Sequence, residues 1–263
     1  MDILIISVSA LGASCLTFFS GFGLGTILTP VFALFFPVSL AIAMTAVVHL
    51  ANNLFKIGLV GRDAHWPTVM RFALPAGFAA VIGASLLAKT STLLPWASYE
   101  WLGLSHDITP VKVLIGGLIT VFALLELSPS FARLAFPARW LVAGGLLSGF
   151  FGGLSGNQGA LRSAFLIKLG LSKESYVGTG AVCTVVVDVV RIAVYGFTLP
   201  AALASAESSQ SGGLVLVLVA IVAAFLGSYV GKRLLTQVTL RTVEWTVAAM
   251  MMAIGTGLVC GLL

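Results

Sequence analysis

The chain has 263 residues, 59% of them hydrophobic and only 9% charged, with a formal net charge of +5. A soluble domain coats its surface with about 25% charged residues, so this surface has to face lipid and a water-soluble globular protein is excluded. The basic excess is no sign of a nucleic-acid partner, because Lys and Arg in membrane proteins gather in cytoplasmic loops and set orientation.

The first residues, Met1-Asp2-Ile3-Leu4-Ile5-Ile6, lack a basic n-region and a small-residue cleavage site, and read as a first membrane segment, not a cleaved signal peptide. Residues 3–20 are apolar and end at the break Ser20-Gly21-Phe22-Gly23-Leu24-Gly25. A short run, 26–36, stops at Pro37, and full-length runs follow at 38–60, 67–89 and 110–127, separated by a short basic loop and a longer polar loop, 90–109. The second half reads 139–154, a break at Ser155-Gly156-Asn157-Gln158-Gly159, a short run 160–171, then 173–196, 213–235 and 242–262. The full runs match the ~20 residues that cross a bilayer core. Cys15, Cys183 and Cys260 lie within apolar runs, form no CxxC, and read as small buried side chains.

Both halves therefore share one order, and residues 20–60 align without gaps on 155–195. Ser20-Gly21 falls on Ser155-Gly156, Leu34 on Leu169, Ala46-Val47 on Ala181-Val182 and Ile57 on Ile192. The polar matches, Asn53 on Asp188 and Lys56 on Arg191, carry more weight because polar residues are rare inside apolar runs. The spacing predicts a duplication, with repeats 1–135 and 136–263.

Basic residues choose the topology. Lys56, Arg162 and Arg191 sit within or beside apolar segments and are set aside. If each broken segment crosses once, the rest divide between Arg62, Arg71, Arg133 and Arg139 on one side and seven residues on the other, which is no clear bias. If each broken pair instead returns to its own side, Arg62, Arg71, Arg133, Arg139, Lys168, Lys173, Lys232, Arg233 and Arg241 share one side, and only Lys89 and Lys112 lie opposite. The positive-inside rule selects the second arrangement. The expected fold is all-α: a polytopic transmembrane bundle of two inverted repeats, each with a glycine-broken, re-entrant or hairpin first segment. Loops 61–66, 128–138 and 236–241 are expected on the cytoplasmic side. Inverted repeats with interrupted segments at matching positions are a signature of secondary transporters, whose sites lie near the midplane.

The breaks supply the first candidate site residues: Gly21, Gly23 and Gly25, then Gly156, Asn157, Gln158 and Gly159. Irregular backbone survives at membrane depth only against protein or a polar cavity, and a helix starting there points free N–H groups at an anion. Close helix packing through small residues is the blander alternative. A second set follows each break. His49, Asn52, Asn53 and Lys56 share one helical face, as do Thr184, Asp188 and Arg191. Charges placed there face a cavity or pair with one another. Lys56 and Arg191 are candidate anion ligands, although Asp188 could simply neutralise Arg191 and Lys56 could snorkel to the interface. Asp188 is the candidate for a coupling proton, with holding Arg191 in place as its alternative role. His49 can titrate near neutral pH or serve as a hydrogen-bonded structural histidine. Arg162 follows the second break with no carboxylate near it in sequence, which makes it the leading candidate for contact with a substrate anion. Gly83, Gly227 and Gly231 read as helix-packing positions.

Ser20-Gly-Phe-Gly-Leu-Gly-Thr-Ile-Leu-Thr-Pro30 with Ala43-Met-Thr-Ala46 resembles the first glycine-rich motif of the sulfite exporter TauE/SafE family. Gly149-Phe-Phe-Gly-Gly-Leu-Ser-Gly156 with Gly178-Thr-Gly-Ala181 resembles the second, so the likeness spans both halves in order. The resemblance implies a carrier in a bacterial-type inner membrane for sulfite, organosulfonates and related small anions. The chain departs from the family pattern at Gly156-Asn157-Gln158-Gly159-Ala160, where a run of glycines is more typical, and this bears on substrate identity. The expected partners are a small inorganic or organic sulfur anion and membrane lipids, with a homodimer as one assembly the reading allows; no cofactor, metal, nucleic acid or enzymatic activity is expected.

Competing readings are an anion channel, which the same half-helices could line, and an intramembrane serine protease using Ser155 within Gly153-Leu154-Ser155-Gly156. The protease reading is weakened because His49, His65 and His106 all precede Ser155.

Overall fold

The structure, a computed structural model of the chain, describes residues 2–18, 24–101, 103–198, 212–234 and 240–263. The helices are α1 (Asp2–Leu16), α2 (Leu24–Ala33), α3 (Val38–Val60), α4 (Trp66–Ser91), α5 (Pro110–Leu127), a single turn α6 (Pro129–Ala132), α7 (Leu141–Ser155), α8 (Gly159–Leu166), α9 (Lys173–Thr198), α10 (Gly213–Leu234) and α11 (Leu240–Val259). In lipid every backbone polar group must be paired within the protein, and the helix does this segment by segment. Among the described residues α3, α4, α5, α9 and α10 are long and apolar enough to cross a membrane. The chain is thus a helical polytopic membrane protein.

Helices α1 and α7 have 15 residues each, about 22 Å of rise, and α2 and α8 have 10 and 8. Each falls short of a hydrocarbon core of about 30 Å. Gly156 ends α7 in the left-handed conformation, φ +82°, with its N–H on the Gly152 carbonyl, and α8 starts three residues later. A side chain at that φ is strained, so glycine is required there.

Backbone approaches fix how the helices run. A Cβ at Gly145, Gly149 or Gly153 of α7 would fall on the carbonyls of Phe72, Ala76 and Ala80 of α4 in turn, so these helices lie parallel and nearly touching. Gly227 and Gly231 of α10 meet Leu11 and Cys15 of α1 in the same parallel sense, and Gly83 meets Phe150. Close packing is thus the role of Gly83, Gly227 and Gly231. Helices α3 and α9 run antiparallel, since His49 pairs with Asp188 while Gly178 abuts Val60. Gly149→Val should lower the melting temperature sharply, because over-packing costs about 1–3 kcal/mol or more. Gly117→Val, where a Cβ meets nothing within 4 Å, should leave it unchanged.

These pairings place Val60, the starts of α4, α7 and α9, and the end of α10 at one end of the bundle, where Lys232 donates to the Leu59 carbonyl. Arg62, Arg71, Arg139, Lys173, Lys232 and Arg233 therefore gather at that end, and Lys89 and Lys112 lie at the other.

The stretch expected as a polar loop, 90–109, contains a β-hairpin, Ala97–Trp101 paired antiparallel with Leu104–Ile108. Its two faces explain it. Ala97, Tyr99 and Trp101 stand opposite Ile108, His106 and Leu104, while Ser98 and Glu100 stand opposite Asp107 and Ser105. That is the period-two alternation of a strand, with Gly103 at φ +77° in the turn. Tyr99 Oη donates to the Cys260 carbonyl at 2.6 Å and ties the hairpin to the end of α11.

Candidate functional site

The polar stripe on α3 divides between two neighbourhoods. Asn52 turns to α1 and α10, where its Oδ1 accepts from Ser14 Oγ at 3.1 Å and Ser228 Oγ at 2.8 Å. Interhelical bonds of this kind join membrane helices, so Asn52 is packing. His49, Asn53 and Lys56, at i, i+4 and i+7, line a cavity instead.

That cavity is open to one side and spans about 410 Å³ when the solvent in its mouth is included. Arg162 of α8 enters it from the second half of the chain, and Thr17, Phe18, Leu24, Tyr176, Val177, Gly180 and Ala181 complete its wall. Lys56 sits over the Phe18 ring, 5.3 Å from its centroid. Arg162 donates from Nη1 to Thr184 Oγ1, and a Cβ at Gly180 would come within 3.3 Å of its Nε. A bulkier residue at 180 would push the guanidinium aside. Asn53 Nδ2 donates to the His49 carbonyl at 2.8 Å and steadies the stripe. Among the described residues Thr17 Oγ1 is buried without a hydrogen-bond partner and no carboxylate lines the cavity. Two cations and a hydroxyl donor without an opposing charge among these residues suit an anion by simple electrostatics.

Arg191 lies elsewhere. It is fully buried, its Nε donates to Asp188 Oδ1 at 2.9 Å, and Nη2 lies 2.7 Å from the same oxygen without hydrogen-bond alignment. Its Nη1 reaches the Gly152 carbonyl at 3.3 Å, and Tyr195 Oη donates to the Gly153 carbonyl. Asp188 Oδ2 pairs with His49 Nδ1 at 2.8 Å, which joins the two polar stripes. Of the two roles open for Asp188, holding Arg191 is the one its contacts display.

Among the break residues, Gly21 and Gly23 lie outside the described residues. Gly25 opens α2 against the Gly156 carbonyl, where an added Cβ would stand at 3.3 Å, so the two breaks meet. Gly156 also abuts Arg191. Asn157, Gln158 and Gly159 are buried at this junction, and the side-chain amide nitrogens of Asn157 and Gln158 have no hydrogen-bond partner among the described residues. None of them lines the cavity. Ser155 is buried, its Oγ donating to the Phe151 carbonyl at 3.1 Å and accepting from the Asn157 N–H, neither of which is a base. The protease reading has no support in this geometry.

Sequence reasoning missed the wall that α9 contributes. Its signal was present in Gly178-Thr-Gly-Ala181, whose Gly180 leaves room for Arg162, and in Tyr176, whose Oη donates to Ser163 Oγ of α8 at 2.8 Å.

Comparison with curated proteins found no match. The family model described as Sulfite exporter TauE/SafE matches residues 6–258, nearly the whole chain. With its apolar spanning helices and an anion-suited cavity between its two halves, the chain belongs to the sulfite exporter TauE/SafE family of membrane transporters.

Proposed function

We propose that the chain is a secondary transporter that moves sulfite or a small organosulfonate across the cytoplasmic membrane by alternating access. One observation carries the reading: Lys56 from the first half and Arg162 from the second face a single cavity that no carboxylate of the described residues lines. The charge balance favours a compact oxyanion over a sulfonate bearing its own ammonium group, which would find no counter-charge in the wall.

Two features support rocking between inverted repeats. Carried beyond the aligned residues 20–60, the same offset that places Lys56 on Arg191 sets Thr17 and Phe18 opposite Gly152 and Gly153. Lys56 lies over Phe18 beside an open cavity, whereas Arg191 and Tyr195 are fully buried and bond to Gly152 and Gly153. The mated helices α3 and α9 are antiparallel, as repeats of opposite orientation require, and α1 with α10 mirrors α7 with α4. Exchange of these two arrangements between the repeats is alternating access. The cavity lies toward the basic end, with Tyr176 and Val177 in its wall; by the positive-inside rule this is the cytoplasmic side.

The test is the melting temperature of detergent-purified protein against sulfite, thiosulfate, sulfate, taurine, sulfoacetate and chloride. A ligand at about 100 times its Kd adds about 2.7 kcal/mol of stability. Sulfite or sulfoacetate should raise the melting temperature and chloride should not. No shift with any sulfur anion would count against the proposed substrate class.

A further inference from the structure

We infer that the anion travels with a proton and that His49 is the residue that takes it, an inference that rests on the anion-carrier reading above. His49 is the one histidine in the cavity wall, and histidine is the side-chain type whose unperturbed charge change falls between about pH 5 and 8. Its Nδ1 lies 2.8 Å from Asp188 Oδ2. The other carboxylate oxygen is held by Arg191, so the aspartate already has its counter-charge without His49. The imidazole is therefore free to gain or lose a proton while its Nδ1–H bond to Asp188 persists, and intramembrane His–Asp pairs of this kind serve as proton relays.

The surroundings of His49 make its proton and the anion depend on one another. Asp188 and Arg191 of α9 lie behind the ring, Lys56 stands two turns along α3, and Arg162 faces the same cavity from α8. Thr17 and Phe18, just after α1, and Leu24 of α2 are uncharged. An anion entering this cavity stabilises a charge on His49, and by reciprocity a charged His49 tightens the anion. No bond to the anion forms: the imidazole takes one proton from water on one side and returns it on the other. His49 and Asp188 belong to opposite repeats, so the proton sits on a contact that rocking must alter. The aligned mates, Thr184 and Asn53, do not titrate, so the imidazole belongs to one repeat alone.

The experiment uses the full chain in proteoliposomes with labelled sulfite, measuring exchange at equal pH and net accumulation under an imposed pH gradient. His49→Asn is the variant of choice, because the asparagine amide reproduces the Nδ1–H donor to Asp188 without the titration. His49→Gln is the substitute should His49→Asn fail to elute as a folded species. The variant should still exchange at saturating sulfite, with a raised KM that no longer varies with pH, while its gradient-driven accumulation falls to the level of protein-free vesicles. Wild type and variant see the same ionisation of sulfite, so the difference belongs to the protein. A variant that accumulates like wild type overturns the proposal, as does a folded variant that loses exchange as well, which would make His49 an anion ligand. Absence of exchange in wild type would remove the carrier reading itself, a separate failure.

Discussion

Arg162→Gln should weaken sulfite binding and raise the transport KM by roughly 10- to 150-fold, since a hydrogen bond to a charged group contributes about 1.5–3 kcal/mol. The guanidinium is half-buried in the cavity wall and held by the Thr184 hydroxyl, with Gly180 leaving it room. Glutamine keeps a donor to Thr184 but brings no charge to the anion. The ligand-free melting temperature should therefore stay near wild type while the sulfite-induced shift disappears. Arg162→Lys should fall between the two, because an ammonium restores charge but lacks the planar two-point geometry. An unchanged KM in Arg162→Gln would remove the centre of the proposed site.

The largest effect on stability is expected at Asp188. Its carboxylate is fully buried and meets Arg191 Nε at 2.9 Å and His49 Nδ1 at 2.8 Å. Asp188→Ala leaves the Arg191 guanidinium buried without its counter-charge. Removing one partner of a buried pair costs about 3–5 kcal/mol, which should appear as a steep fall in melting temperature and in the yield of folded protein. Adding Arg191→Leu should recover much of the loss, because replacing both partners by apolar groups removes the uncompensated charge. A single variant as stable as wild type would show that the pair holds nothing together.

Much of this architecture was legible in the chain itself. The apolar runs gave the spanning helices, because length and lack of charge are the two things a bilayer demands. The stripe at His49, Asn53 and Lys56 was legible because helical spacing places those residues on one face. Spacing does not say what that face meets. Asn52, one position from Asn53, belongs to the packing junction with Ser14 and Ser228, and only the approach of α1 and α10 reveals it. Arg191 looked equivalent to Lys56 in alignment, yet it pairs with Asp188 one turn away while Lys56 has no carboxylate so placed. Phe18 and Leu24 of the wall are apolar residues in apolar helices, where composition does not mark an inward face. The hairpin at 97–108 was hidden for another reason: its alternation is only five residues per strand inside a stretch whose average is polar.

The central claim is that this cavity carries a sulfur oxyanion through the protein, and trans-stimulated uptake of labelled sulfite into proteoliposomes tests it most directly. The account predicts saturable uptake that rises when unlabelled sulfite is loaded inside, and that Arg162→Gln and Lys56→Gln each reduce at limiting sulfite. Uptake no greater than in protein-free vesicles, or uptake that neither saturates nor responds to internal sulfite, would contradict it.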